Sequence, residues 1–369
     1  MLANQVKFSK GANADFIRTL RSRVVDYFEE NNISKYGDWK MVVKTIVMLT
    51  LLFGPIALMC LANITNPWAI IGLYVVIAAG KSGVGFSVMH DACHGAYSKY
   101  PWVNKTLSYT MNFLGGNARN WKIQHNVLHH SFTNVSGMDE DIAPPAWLLR
   151  FSPHTKRYMI HRMQHIYGWG LYALETLMWC TSKDFVGLAK YRREGLLKKE
   201  DGKYGFLVTK IFLWKLVYFS YILVLPMIFA SVAWWVVLIG FIVMHLITGL
   251  FVALVFQAAH VMPDMEYPLP DDEGNLENNW AVHQILTTTN FAPKSNILGW
   301  YIGGLNFQIE HHLFPNICHI HYKKISNIVK ETAAEYGLPY KCKKYFVGAI
   351  ADHAKMLRDL GKYDALPAV

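Results

Sequence analysis

The stretch TIVMLTLLFGPIALMCLANITNPWAIIGLYVVIAAG, Thr45 to Gly80, contains no Asp, Glu, Lys or Arg, and neither does Val217 to Ala259. A membrane-spanning helix needs about 20 apolar residues, so each stretch accommodates two spans joined by a tight turn. The first turn is Asn63-Ile64-Thr65-Asn66-Pro67, a cluster of residues that break helices. The second is expected between Pro226 and Trp235, where Trp234 and Trp235 fit an aromatic belt. This reading predicts an all-α integral membrane fold. Four transmembrane helices, over residues 42–62, 68–89, 211–230 and 233–257, form two hairpins beneath a helical cytosolic cap.

Composition agrees. Of the 369 residues 53% are hydrophobic and only 17% are charged, against roughly 25% in an ordinary soluble domain. The formal charge of +10 comes without a Lys/Arg block, which argues against a nucleic-acid partner and fits a face towards anionic lipid. The five cysteines are scattered and form no C-x-x-C, as in a reducing compartment. Neither turn contains Lys or Arg. The positive-inside rule therefore puts Met1–Lys40, about His90–Phe206, and His260–Val369 in the cytosol.

Three parts follow from this division. Residues 1–40 form an N-terminal segment in which Phe16, Ile17, Leu20, Val24 and Phe28 mark an amphipathic helix lying on the bilayer or on the cap. Residues 41–325 carry the spans and the motifs. Residues 326–369 complete the cap, with a helix from Ser326 to Tyr336 that stops at Gly337-Leu338-Pro339. Ile166 to Cys180 is apolar but too short to span, and is expected at the interface.

The chemistry lies in three histidine windows. In His90-Asp91-Ala92-Cys93-His94 the two histidines stand at i and i+4, on one helical face. In His125-Asn126-Val127-Leu128-His129-His130 the first and fifth residues share a face. On an α-helix His130 would point about 100° away, towards a different ion. The third window is Gln308-Ile309-Glu310-His311-His312. A closed structural zinc needs four ligands; these windows hold too many imidazoles for one ion and enough for two. Imidazole suits Zn, Cu, Fe and Ni alike. Two nitrogen-ligated redox metals beside a membrane point to oxygen activation on an apolar substrate.

Taken together, H-x-x-x-H, H-x-x-x-H-H and Q-x-x-H-H around two hairpins resemble the membrane fatty acid desaturase family, from about residue 40 to about residue 325. The run Gln308 to Pro315 is similar to the third box of front-end desaturases, which act between an existing double bond and the carboxyl end. The resemblance implies iron ligands at His90, His94, His125, His129, His130, His311 and His312, with His260 after the last span as a further one. Gln308 stands where many relatives have histidine. It is left as a weak ligand, a holder of water or a residue behind the ligands. The implied reaction uses two Fe2+ ions, O2 as co-substrate and two external electrons. It introduces a cis double bond into a fatty acyl chain borne by CoA, a carrier protein or a lipid. His-Pro-Gly-Gly, the mark of a fused cytochrome domain, is absent. A separate ferredoxin or cytochrome is therefore the expected donor, and a bacterial inner membrane the expected location.

The remaining histidines read differently. His161 and His165, among Lys156, Arg157 and Arg162, are expected on an interfacial basic face, with a metal site as the alternative. His245 lies inside the last span, ~22 Å from His260 at 1.5 Å per residue, and is read as a hydrogen-bonded imidazole near an acyl tunnel. His283 is open between a role behind the metal ligands and a structural one. His319 and His321 are expected to hydrogen-bond within the cap. Asp139, Glu140 and Asp141 are candidates for orienting a ligand histidine, with helix capping as the alternative. A hydroxylase of the same superfamily and a histidine-rich metal transporter are the rival functions. The transporter would need polar groups along a path through the bilayer, and the two apolar stretches offer only His245.

Overall fold

The computed structural model describes residues 6–9, 13–198 and 202–364. Parts of the expected terminal segments (1–5, 10–12 and 365–369) lie outside the described residues. The fold is mostly helical, and among the described residues four helices are long and apolar enough to cross a membrane: Trp39–Leu61, Pro67–Cys93, Tyr204–Phe229 and Trp234–His260. Two contact units result. Unit one comprises Met1–Tyr36, Lys122–Gly168 and Leu254–Val369; unit two comprises Gly37–Trp121 and Trp169–Ala253.

In unit two, local chemistry sets the span boundaries. The Asp38 side chain accepts the Lys40 and Met41 N–H groups at 2.9 and 3.3 Å and so caps the first span. Asn66 caps the second through the Trp68 N–H (2.9 Å), and Pro67 occupies its first turn, where no N–H is needed. The first interhelical turn therefore falls where the breaker cluster puts it. Pro226 remains helical, just after a π turn at Ser220–Val224, and the second turn comes at residues 230–233. Gly80 lets the first two spans meet: a Cβ there would strike the backbone of Leu51 and Leu52.

Polar groups inside this unit are paired in series. Lys81 Nζ donates to Tyr218 Oη at 2.8 Å. The Tyr218 hydroxyl lies 2.8 Å from His245 Nε2, and His245 Nδ1 lies 2.9 Å from Thr176 Oγ1. Both nitrogens of His245 are thus satisfied, as its place in a span requires. Lys215 pairs with Asp184 and also donates to the Gly115 carbonyl at 2.6 Å. The apolar segment after Ile166 belongs to the helix Gln164–Met178, which runs on through a π turn into Asp184–Arg193.

Unit one is built on the helix Phe16–Glu30. It buries Phe16, Leu20 and Val24 in a core with Ile285, Ile309, Leu313, Ile325 and Val329. The amphipathic face thus finds protein. Arg23 closes the contact through a paired hydrogen bond to Glu335 at 2.8 and 2.7 Å. The helix expected from Ser326 starts at Tyr322 and ends at Glu335; Gly337 (φ 67°) follows, and the Leu338 N–H returns to the Ala333 carbonyl at 2.8 Å. Two parallel strand pairs, of two residues per strand, tie distant segments: Lys7–Phe8 with Asn275–Leu276 and Asn290–Phe291 with Cys342–Lys343.

One histidine departs from its expected environment. His161 is fully buried within the protein, not on an interfacial basic face. Its Nδ1 accepts the Tyr158 N–H at 3.1 Å, and Gly361 packs against its carbonyl, where a Cβ would collide. The helix Phe346–Lys362 covers it, and buried Arg150 holds that helix by donating to the Leu360 and Tyr363 carbonyls at 2.6 and 2.7 Å. His321 keeps its expected hydrogen bond, to the Tyr36 carbonyl at 3.3 Å.

Gly80→Val should lower the thermal midpoint in detergent, costing about 1–3 kcal/mol by overpacking. Gly72→Ala, with nothing within 4 Å of the added methyl, should not. Equal midpoints for the two variants would show that close approach at Gly80 is unimportant.

Candidate metal centre

The second histidine window does not form an α-helix. Lys122–His129 is a π-helix, and the His130 N–H donates to the His125 carbonyl at 3.0 Å, an i to i+5 bond. This corrects the expected 100° divergence. The wider turn brings His125 and His130 together, their Nε2 atoms 3.3 Å apart. His130 Nε2 also lies 2.9 Å from His311 Nε2. Two imidazole lone pairs aimed at each other at that distance need a proton or a cation between them.

Three groups of potential ligands gather in unit one. Donor atoms of His129, His260 and His312 lie within 4.8 Å of one another, as do those of His130, His311 and His312 and those of His125, His129 and Asp141. His260 enters from the last turn of the helix Trp234–His260, and its carbonyl is held by Asn134 Nδ2 at 3.0 Å. The third window forms the short helix Gln308–Leu313, which places His311 and His312 side by side. Gln308 opens that helix and is buried, one turn before the pair.

Partners behind the rings fix their orientation. The carboxylate of Asp141 meets His125 Nδ1 at 2.7 Å, and both Asp139 oxygens lie 3.0 Å from His129 Nδ1. Gln284 Oε1 takes the His312 Nδ1 proton at 2.8 Å, and the Tyr322 hydroxyl lies 3.2 Å from His311 Nδ1. An Nδ1–H held by a carboxylate or carbonyl leaves the Nε2 lone pair free to ligate, the usual support of metal-bound histidine. His129 Nε2 and His260 Nε2 are buried and have no hydrogen-bond partner among the described residues. Burial opposes charge on His129, but the Asp139 carboxylate outweighs it and holds the imidazole above its ordinary pKa. Buried imidazoles with inward lone pairs and carboxylates behind them fit a nitrogen-preferring transition metal.

Asp139 and Asp141 stand in the orienting position anticipated for the acidic trio. Asp139 also accepts the Asn134 and Asp141 N–H groups, each at 2.9 Å, so it orders the turn that carries it. Glu310, between the Gln and the His pair, faces elsewhere: Tyr340 Oη and Asn290 Nδ2 each lie 2.8 Å from its carboxylate, and burial pushes its pKa up to about 7. His283 belongs to none of the three groups. Its ring stands edge-on to Phe8 at 5.3 Å, and burial pushes its pKa down to about 4. The orienting residue is its neighbour Gln284, which also donates to the His130 carbonyl at 3.2 Å. Neither Gln284 nor Tyr322 stands out in the sequence. Only proximity to the histidine windows in the fold identifies them.

In unit two, His90 and His94 follow a π turn at Val84–Met89 and lie on one regular helical turn, with the His94 N–H bonded to the His90 carbonyl at 3.1 Å. Their ring centroids are 4.8 Å apart, and both rings stand edge-on to Trp121. The i, i+4 spacing thus has the effect read from the sequence.

A family model described as "Fatty acid desaturase" matches residues 66–344. The chain belongs to the fatty acid desaturase family. It is 35% identical over 366 residues to the "sn-1 linoleoyl-lipid 6-desaturase" of Synechocystis sp., covering 98% of this chain and 99% of the relative. The protein of that name from Arthrospira platensis is 33% identical, covering 98% and 96%. An "Acyl-lipid (8-3)-desaturase" of Physcomitrium patens is 33% identical, covering 96% of this chain and 74% of the relative. The chain is therefore an oxidoreductase, a membrane fatty acid desaturase resembling the front-end members. The alternative of a metal transporter falls away.

Asp139→Asn should weaken metal retention by about 10–100-fold. Bound metal per chain would be measured after reconstitution with ferrous iron and dialysis. Retention equal to the parent would show that the carboxylate does not support His129.

Proposed function

We propose that this desaturase introduces a cis double bond into an already unsaturated acyl chain of a membrane glycerolipid, between the existing double bond and the carboxyl end. The observation that carries the reading is the buried set of His129, His260 and His312, with Asp139 and Gln284 behind two of its rings. The names of the relatives from Synechocystis sp. and Arthrospira platensis favour a lipid-borne chain and front-end position.

Two ferrous ions held by His90, His94, His125, His129, His130, His260, His311 and His312 would supply the reduction of dioxygen and the removal of two hydrogens from adjacent methylenes. The protein's own share is orientation and exclusion of water. Asp139, Asp141, Gln284 and Tyr322 keep His129, His125, His312 and His311 in the ligating tautomer. Phe256, with its ring 5.0 Å from His129 and 4.9 Å from His260, presents apolar surface beside them. Gln308, buried one turn before His311 and His312, acts behind the ligands, since a neutral amide binds iron less well than imidazole.

The Lys/Arg distribution supports a cytosolic active site with both termini on the same side, and two cyanobacterial relatives support a bacterial inner membrane. Electrons come from a separate ferredoxin or cytochrome. The net charge of +10 would steer an acidic donor, so the rate of reduction should fall as ionic strength rises. A flat response in stopped-flow reduction would remove the steering argument.

Expressed in a host of defined lipid composition and fed linoleoyl chains, the protein should yield products two mass units lighter, with the new double bond nearer the carboxyl group. His129→Ala and His311→Ala should abolish them. Products heavier by one oxygen would assign a hydroxylase instead. Undiminished desaturation in either variant would overturn the metal assignment.

A further inference from the structure

Glu310 stands where a carboxylate is costly. It is fully buried on the helix Gln308–Leu313, whose residues Ile309 and Leu313 enter the apolar core of unit one. A buried carboxylate is unfavourable unless its oxygens meet donors. Here both do: Tyr340 Oη donates to Oε1 and Asn290 Nδ2 to Oε2, each at 2.8 Å. The Asn290 amide also donates to Tyr340 Oη at 2.8 Å, which closes a triangle of three side chains. Its Oδ1 accepts the Ile309 N–H at 2.9 Å, so the amide cannot turn.

The triangle is itself anchored. The Asn290 N–H bonds to the Lys341 carbonyl at 3.0 Å, beside Tyr340. The Thr289 N–H bonds to the Ala259 carbonyl at 3.0 Å, one residue before His260. Residues 289 and 290 therefore join the end of the last span, the segment after Tyr340 and the helix Gln308–Leu313, all within unit one.

That helix has six residues and no side-chain cap, and so short a helix does not hold itself. Ile309 and Leu313 press it against the core, but apolar contact has no direction and does not stop it rolling about its axis. Hydrogen bonds to Glu310 from two sides do. Successive residues on an α-helix point about 100° apart, so the direction of Glu310 fixes those of His311 and His312. With side chains ending about 5–6 Å from the axis, a roll of about 10° carries a ring about 1 Å, enough to spoil a ligand site. Tyr322 and Gln284 orient the two rings; Glu310 orients the backbone that carries them.

We propose that Glu310 is the positioning residue of the third histidine window: clamped by Asn290 and Tyr340, its carboxylate fixes the roll of the helix Gln308–Leu313 and so aims His311 and His312. The proposal rests on the reading of those two histidines as iron ligands. It extends the machinery of the site to Asn290 and Tyr340, neither of which belongs to a ligand group.

Iron release from the full-length holoprotein to ferrozine, followed by absorbance in detergent, tests it. The thermal midpoint of the chelator-treated protein is measured alongside. In Glu310→Gln one donor loses its acceptor whichever way the amide turns, and iron should leave about tenfold faster. In the double variant Glu310→Gln/Asn290→Asp the new amide donates to the new carboxylate, which still accepts the Ile309 N–H, and release should return close to the parental rate. Should Glu310→Gln fold poorly, Tyr340→Phe, which removes only the hydroxyl, should quicken release several-fold and is read in its place. Parental release in whichever of these variants is read overturns the proposal. Fast release that the double variant does not slow overturns it too, because loss of the pairing is then not the cause. A lowered thermal midpoint with unchanged iron release overturns it in favour of a merely structural clamp. His311→Ala separates this proposal from the reading beneath it. Parental iron retention in His311→Ala overturns the ligand assignment and the proposal together; rapid loss there beside parental release from Glu310→Gln strikes only the positioning role.

Discussion

An imidazole has two nitrogens, and only one can face a metal while the other is held. In this protein Asp139, Asp141, Gln284 and Tyr322 occupy the Nδ1 positions of His129, His125, His312 and His311. Much of unit one depends on keeping those four partners in place. Asp139 orders its own turn through two backbone N–H groups, and Asn134 within that turn reaches the His260 carbonyl at the end of the last span. Gln284 is anchored by Thr133 at 2.8 Å and by the His130 carbonyl. Asp139 and Gln284 are thus bonded to the backbone of the segment that carries His125, His129 and His130, so those rings and these two supports are held by one segment.

The same economy of polar groups governs the apolar helices. A lysine or histidine inside a span is costly unless its hydrogen-bonding capacity is met. Lys81, Tyr218, His245 and Thr176 meet it in series, and Lys215 meets it with Asp184 and two carbonyls.

How much of this was legible beforehand varies with the range of the interaction. The four spans were readable because exclusion of charge over about 20 residues is a local property. Their caps at Asp38 and Asn66 follow from short side chains reaching the first free N–H groups. The helix Phe16–Glu30 was legible as amphipathic, but whether lipid or protein would cover it depended on Ile309 and Ile325, some three hundred residues away. His161 shows the opposite failure. Its basic neighbours in sequence implied an interfacial face, yet Gly361 and the helix Phe346–Lys362 bury it.

The sequence by itself determined the membrane-spanning segments, the histidines able to bind metal and the family to which they belong, because charge, side-chain chemistry and spacing are written residue by residue. Only the tertiary structure decided which nitrogen each ring turns inward and what holds the other one. It also decided the π-helical winding of Lys122–His129, which brings His125 and His130 together where α-helical spacing would part them. These are long-range matters. Gln284 and Tyr322 acquire their roles from folding against His312 and His311, and no local pattern distinguishes a glutamine or tyrosine that will do so.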